Sequence, residues 1–284
     1  METYQDLRDH HPAAWLAPRP PDSHKGDFGQ VGILGGAPGM AGAALLAGRA
    51  ALRLGAGRVY VGLLDDRLAV DPGQPELMLC RPERLLSLSL PGCLAAGPGL
   101  GQTGAARAGL EALLGLSMPL VLDADALNQI AADPALAGQV RGRTEPTLLT
   151  PHAGEAGRLL GIDSAPLQRD REGALQALVD RFRCGVLLKG RATLIGFPDR
   201  PPWRNPSGNP ALASAGMGDV LTGMIAALAA QGLDLERAAV LAAWLHGEAA
   251  DSAGARGEGP VGLSASELVL GARARLNRLV YSVP

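Results

Sequence analysis

Aromatic side chains are almost missing from this chain: three Phe, three Tyr and three Trp in 284 residues, 3% of the total. A core made without them must rest on aliphatic side chains and closely packed small residues, and the 39 glycines fit that economy. Cysteine is also scarce. Cys80, Cys93 and Cys184 are widely spaced, with no CxxC and no nearby His at metal-ligand spacing, which excludes a disulfide framework or a zinc module and suits thiols in a reducing compartment. There is no charge excess either: 26 basic residues face 28 acidic ones, net −2, so no electrostatic footprint for nucleic acid or an anionic membrane exists. Long hydrophobic runs are lacking as well. A clean apolar stretch such as "MIAALAA" (224–230) falls well short of a membrane span, and the polar N-terminus has no signal-peptide core. The expectation is a cytoplasmic protein with no membrane or nucleic-acid partner.

With 47% hydrophobic and 19% charged residues, the chain can bury a substantial core. Residues 1–23 read as a lead-in broken by "PRPPD" (18–22). Beyond them apolar runs alternate with helical patterns. "QVGILGG" (30–36), "RVYVGLL" (58–64), "CLAAGPG" (93–99), "PLVLDAD" (119–125) and "PTLLTPH" (146–152) read as strands. "GVLLKG" (185–190) and "ATLIG" (192–196) read as a hairpin around a Gly-Arg turn. Helices are expected over 41–55, 104–116, from Gly154, over 171–182, 220–230 and 235–254. Such alternation predicts an α/β fold, one domain over 24–284, with a mostly parallel sheet covered by helices on both faces.

The glycine-rich and polar segments fall at strand ends, where open α/β sheets bind ligands. "GGAPGMAG", "GPGLG", "DADALN", "TPHAGE", "KGRAT" and "NPSGNPALASAGMGD" are therefore expected to converge. "GPGLG" (97–101) lacks the third glycine and the ribose acid of a dinucleotide fingerprint, and no P-loop is present. In "KGRAT", Lys189 could meet a phosphate and Thr193 a nucleotide, or the five residues form a basic surface turn. His152 is a substrate contact, a general base or a satisfied loop histidine, and Glu155 has the spacing of a capping-box acid. Asp123 and Asp125 end a strand, either to hold magnesium or to cap the helix beginning near Ala126. "HKGDFGQ" (24–30) is a loop over a phosphate or a polar turn. In "SAGMGDVLTG", a glycine turn feeds a helix N-terminus suited to phosphate, and Asp219 sits at its mouth as a cap or as a base.

Taken together, "HKGDFGQVGILGG", "AGAALLAGRAALRLGAGRV", "AAGPGLG", "VLDADALN", "LTPHAGE", "LLKGRAT" and "GNPALASAGMGDVLTG" resemble the ADP- or ATP-dependent NAD(P)H-hydrate dehydratases, the YjeF C-terminal type of the ribokinase-like superfamily. The motifs run in family order over roughly residues 24 to 251. The resemblance implies a ribokinase-like three-layer sandwich and repair of hydrated NADH or NADPH: the nucleotide phosphorylates the ring hydroxyl, then phosphate leaves. It casts Asp219 as the catalytic base. Lys189, Gly190, Arg191, Ala192, Thr193, Gly216 and Gly218 would contact ADP or ATP. Ala43, Gly101, His152, Asn209 and Asp219 would contact the hydrated dinucleotide, with Mg2+ on the nucleotide phosphates and no residue assigned to it. It further implies a homo-oligomer, a tetramer, and action on one epimer with any epimerase made as a separate chain. Met217, Ser207 and Ala211 stand where Thr, Thr and Gly are more usual in that family. The rival the residues allow is a small-molecule kinase of the hydroxyethylthiazole kinase type, or a nucleotide sensor without turnover.

Overall fold

The computed structural model describes residues 4–6, 15–88 and 92–281. Ten strands form one sheet: β1 (Gln5–Asp6), β2 (Gln30–Gly35), β3 (Arg58–Leu63), β4 (Met78–Cys80), β5 (Gly92–Ala96), β6 (Leu120–Leu122), β7 (Thr147–Leu149), β8 (Gly185–Leu188), β9 (Thr193–Gly196) and β10 (Trp203–Asn205). Their order across the sheet is β1-β10-β9-β8-β7-β6-β5-β2-β3-β4. From β4 to β8 every pairing is parallel; β9 alone runs against its neighbours β8 and β10. The β8–β9 pairing is the expected hairpin. Within the segment read as a lead-in, β1 adds a parallel edge strand beside β10.

The helices are α1 (Ala41–Arg53), α2 (Pro82–Leu86), α3 (Gly104–Leu114), α4 (Ala124–Ala132), α5 (Pro134–Gly142), α6 (Ala153–Leu160), α7 (Ser164–Arg169), α8 (Arg171–Phe182), α9 (Met217–Ala230), α10 (Leu235–Ala255) and α11 (Ala265–Tyr281). Strand side chains alternate between two faces. Val31, Ile33, Val121, Leu187 and Ile195 enter one core with α1, α9, α10 and α11. Leu34, Leu120, Leu122, Val186, Leu188 and Leu194 enter a second core with α2 through α8. Helices therefore cover both faces of the sheet in three layers.

Close packing of small residues replaces aromatic bulk. A Cβ on Gly223 of α9 would lie 2.0 Å from the carbonyl oxygen of Ala47 on α1, so these two helices meet backbone to backbone. The small-residue face of α1 is thus used inside the chain. Cys93 and Cys184 are buried in apolar surroundings that push each thiol up to about 12, so both stay protonated packing residues.

Candidate functional site

The loops beyond the carboxyl ends of the central strands are stitched to one another. Gly36 and Ala37 donate to the carbonyls of Pro98 and Gly99 at 3.0 and 2.7 Å, joining "GGAPGMAG" to "GPGLG". Gly101 donates its amide to Asp125 Oδ2 at 2.8 Å, joining "GPGLG" to "DADALN". Lys189 donates its amide to the Pro151 carbonyl at 2.8 Å, joining "KGRAT" to "TPHAGE". "HKGDFGQ" is not among them. It lies at the amino end of β2, where Gly57 donates to the carbonyls of Phe28 and Gly29, and it folds as a polar turn with His24 donating its amide to Asp27.

At the centre, Lys189 donates to Asp123 Oδ1 at 2.6 Å and Thr222 donates to Asp123 Oδ2 at 2.8 Å. Asp123 occupies the N-cap position of α4, yet its carboxylate caps nothing. The strand read as running to Asp125 ends at Leu122. Ala124 then turns at φ +47°, a conformation that costs a non-glycine residue on the order of 1 kcal/mol. That turn aims Asp123 at the lysine and Asp125 at the Gly101 amide. Burial pulls the Lys189 pKa down, but Asp123, Glu155 and Asp219 more than offset it and the ammonium is held above its usual range.

Gly218 lies over this pair: a Cβ there would come 3.2 Å from Lys189 Nζ. The helix expected from Val220 starts three residues earlier, at Met217, after Gly216 at φ +83°. The left-handed conformation favours glycine there, and a Cβ would sit 2.6 Å from Leu46 Cδ1, so that side chain would also have to move. No side chain caps α9. Among the described residues the amides of Gly218 and Asp219 find no acceptor, which leaves a helix N-terminus ready for an anion. Asp219, half-buried at the third helical position, has no hydrogen-bond donor to its carboxylate among the described residues. Burial, then the Asp123 charge, raise its pKa from 3.8 to about 6, with Asp125 and Glu155 adding to the rise and Lys189 opposing it.

Each neighbouring acid is already committed. Asp123 holds Lys189 and Thr222, Asp125 holds the Gly101 amide, and Glu155 accepts from the His152 amide at 2.8 Å in a capping box. Asp219 alone of the four is unclaimed. Among the described residues no group of three His, Cys, Asp or Glu side chains could hold a metal ion.

The remaining expected contacts are placed as follows. His152 caps α6, its Nδ1 accepting from Gly154 and Glu155 at 3.0 and 3.3 Å, while its ring stays 55% exposed with Nε2 toward Glu155. Asn209 spends its amide on the loop, accepting from Ala211 and donating to the Ala250 carbonyl and Asp251 Oδ1. Ala43 stands half-buried in the first turn of α1 beside Gly99. Gly190 and Arg191 are exposed, and Ala192 adopts φ +53° in the β8–β9 turn. Thr193 donates to the Gly190 carbonyl at 3.3 Å.

Sequence reasoning overlooked four supporting residues. Thr222 completes the Asp123 site, and Arg171 grips the β8–β9 turn. Asp251 accepts from the Gly208 amide and from Asn209, anchoring that loop to α10. His246 Nε2 lies 3.1 Å from the Met217 carbonyl, beneath the start of α9. Burial lowers its pKa to about 4, so the ring is neutral and donates that bond.

The family model described as NAD(P)H-hydrate dehydratase matches residues 31–268. The chain belongs to the NAD(P)H-hydrate dehydratase family. It is 43% identical over 272 residues to the ADP-dependent (S)-NAD(P)H-hydrate dehydratase of Neisseria meningitidis serogroup B, covering 93% of this chain and 90% of that one. It is 40% identical over 268 residues to the bifunctional NAD(P)H-hydrate repair enzyme Nnr of Coxiella burnetii, but spans only 53% of that longer protein. The crystal structure of the ADP/ATP-dependent NAD(P)H-hydrate dehydratase from Bacillus subtilis, co-crystallized with ATP/Mg2+, superposes with a TM-score of 0.84 at 32% identity, covering 98% of this chain and 99% of that one. No helix among the described residues is long and apolar enough to cross a membrane.

Proposed function

We infer that this chain restores NADH or NADPH from the S-epimer of its hydrated form, consuming ADP or ATP. The observation that carries the mechanism is the uncommitted Asp219 carboxylate, raised to about 6 at the open N-terminus of α9. In this reading the terminal phosphates of the nucleotide lie against the amides of Gly218 and Asp219, the helix dipole supplying positive potential where charge develops. The ring hydroxyl of the hydrated dinucleotide gives its proton to Asp219 Oδ as its oxygen attacks the terminal phosphorus. The bond to the nucleotide's bridging oxygen breaks, leaving AMP from ADP or ADP from ATP. The ring then loses phosphate with its bonding electron pair and a proton from the adjacent carbon, and the double bond returns. Hydroxide is a poor leaving group and phosphate a good one, which is why the nucleotide is spent.

Lys189 to Thr193, with Gly216 and Gly218, are read as the nucleotide wall; Ala43, Gly101, His152 and Asn209 as the side toward the dinucleotide. Magnesium fits here as an ion held by phosphate oxygens and waters, because Asp123, Asp125 and Glu155 are spent on protein partners. When bound it would neutralise charge on the transferring phosphates. A homo-oligomer and a cytoplasmic location belong to the same reading.

The test is to incubate the protein with hydrated NADH, Mg2+ and either ADP or ATP. Recovery of the NADH absorbance band with at least one nucleotide is expected. No recovery with either would overturn the reading.

A further inference from the structure

Arg171 is in an unfavourable place for its charge. It occupies the first position of α8, where the helix dipole repels a cation, and the preceding Asp170 spends its carboxylate on the Gly173 amide at 2.8 Å. Burial and the nearby Arg204 both lower its pKa. No carboxylate pairs with it among the described residues. Instead its two terminal nitrogens donate to four backbone carbonyls of one turn. Nη2 reaches Leu188 and Lys189 at 3.1 and 3.5 Å, and Nη1 reaches Ala192 at 3.2 Å and Arg191. The one carbonyl skipped, that of Gly190, accepts from the Thr193 hydroxyl.

Every carbonyl from Leu188 to Ala192 is thus held by a side-chain donor. The amides present the opposite picture: among the described residues those of Gly190, Arg191 and Ala192 have no acceptor. The turn takes positive φ twice, freely at Gly190 (+142°) and with strain at the non-glycine Ala192 (+53°). A run of free N–H groups in a turn forms a concavity for an anion, and clamping the carbonyls keeps them from competing.

We propose that Arg171 is a positioning residue that clamps the carbonyls of the 188–192 turn so that its free amides bind the phosphates of the nucleotide. This rests on the reading that Lys189 to Thr193 contact ADP or ATP. The planar fork of arginine is essential to it, since four hydrogens must reach four acceptors from one side chain. Lysine has three and no fixed plane.

The experiment combines steady-state kinetics on Arg171→Lys and Arg171→Ala with amide shifts of the unchanged protein on titration with ADP. Shifts at Gly190, Arg191 and Ala192 are expected. Arg171→Lys should raise the nucleotide KM about tenfold or more, with kcat changed less than about threefold and the KM for hydrated NADH unmoved. Arg171→Ala should do the same, and guanidinium ion should restore part of the loss. If the three amides do not move, the nucleotide reading falls and this proposal with it. If they move but Arg171→Lys keeps the parent nucleotide KM, or raises both KM values alike, the proposal alone is overturned. Circular dichroism and the Arg171→Lys variant separate misfolding from lost positioning.

Discussion

Lys189 Nζ and Asp123 Oδ1 are 2.6 Å apart beneath Gly218, a buried ion pair between the ends of β8 and β6. The lysine of "KGRAT" is therefore already paired, with one of its three N–H groups given to Asp123. It is the counter-charge to the buried Asp123 carboxylate, and it opposes the rise in the Asp219 pKa.

Removing it should act on stability and on Asp219 together. Lys189→Met would leave Asp123 buried with only the Thr222 hydroxyl, at a cost of about 3–5 kcal/mol. Adding Asp123→Asn should recover much of that, measured as a coupling in urea denaturation. Because Lys189 opposes the rise in the Asp219 pKa, Lys189→Met should also move the acid limb of the pH–rate profile upward.

Asp219 should set that limb. A base with a pKa of about 6 must be ionised to work, so kcat/KM should rise with pH through about 6 and level above it. Asp219→Asn should lose roughly 10²–10⁴-fold in turnover with its nucleotide Kd nearly unchanged. Isothermal titration alongside the rate measurement checks both halves.

Asp219 and His246 should also pull stability in opposite directions. A carboxyl whose folded pKa lies above its unfolded value contributes most below about 3.8, and loses that contribution as pH rises through about 6. His246, depressed from 6.5 to about 4, contributes above 6.5 and loses it as pH falls toward 4. Each amounts to about 2–3 kcal/mol across its window, so the two nearly cancel in the parent protein. Asp219→Asn should therefore be more stable than the parent at pH 7.5 and lose stability more steeply by pH 4.5. His246→Gln should show the reverse slope. Urea midpoints at both pH values test this, and parallel pH dependences for all three proteins would contradict it.

His152 carries a structural duty that can be separated from substrate contact. His152→Ala should cost about 1 kcal/mol through the lost α6 cap and raise the KM for hydrated NADH. His152→Asn, a good capping residue, should recover the stability but not the KM. Recovery of both would show that the cap is its whole role.

The central strands and main helices were legible in the sequence because each is an apolar run with a clear period bounded by glycine or proline. β4 and β10, three residues each at or near the sheet edges, carry no such pattern. The run "PLVLDAD" misled by three residues at its carboxyl end, because β6 stops at Leu122 and the chain turns at Ala124 with φ +47°. Glycines and acids of the site were visible as motifs. Their partners were not: Lys189 and Asp123 are 66 residues apart, Thr222 and Asp123 99, Gly208 and Asp251 43. Arg171 was hidden for a different reason, since every group it grips is backbone and leaves no mark on side-chain identity.

The most direct measurement follows phosphorus and NADH together. With hydrated NADH, Mg2+ and the preferred nucleotide, phosphorus NMR and the NADH band should show one orthophosphate and one NADH formed for each nucleotide consumed. A stable phosphate ester accumulating without return of the NADH band would mark a small-molecule kinase instead, and would contradict the dehydratase account.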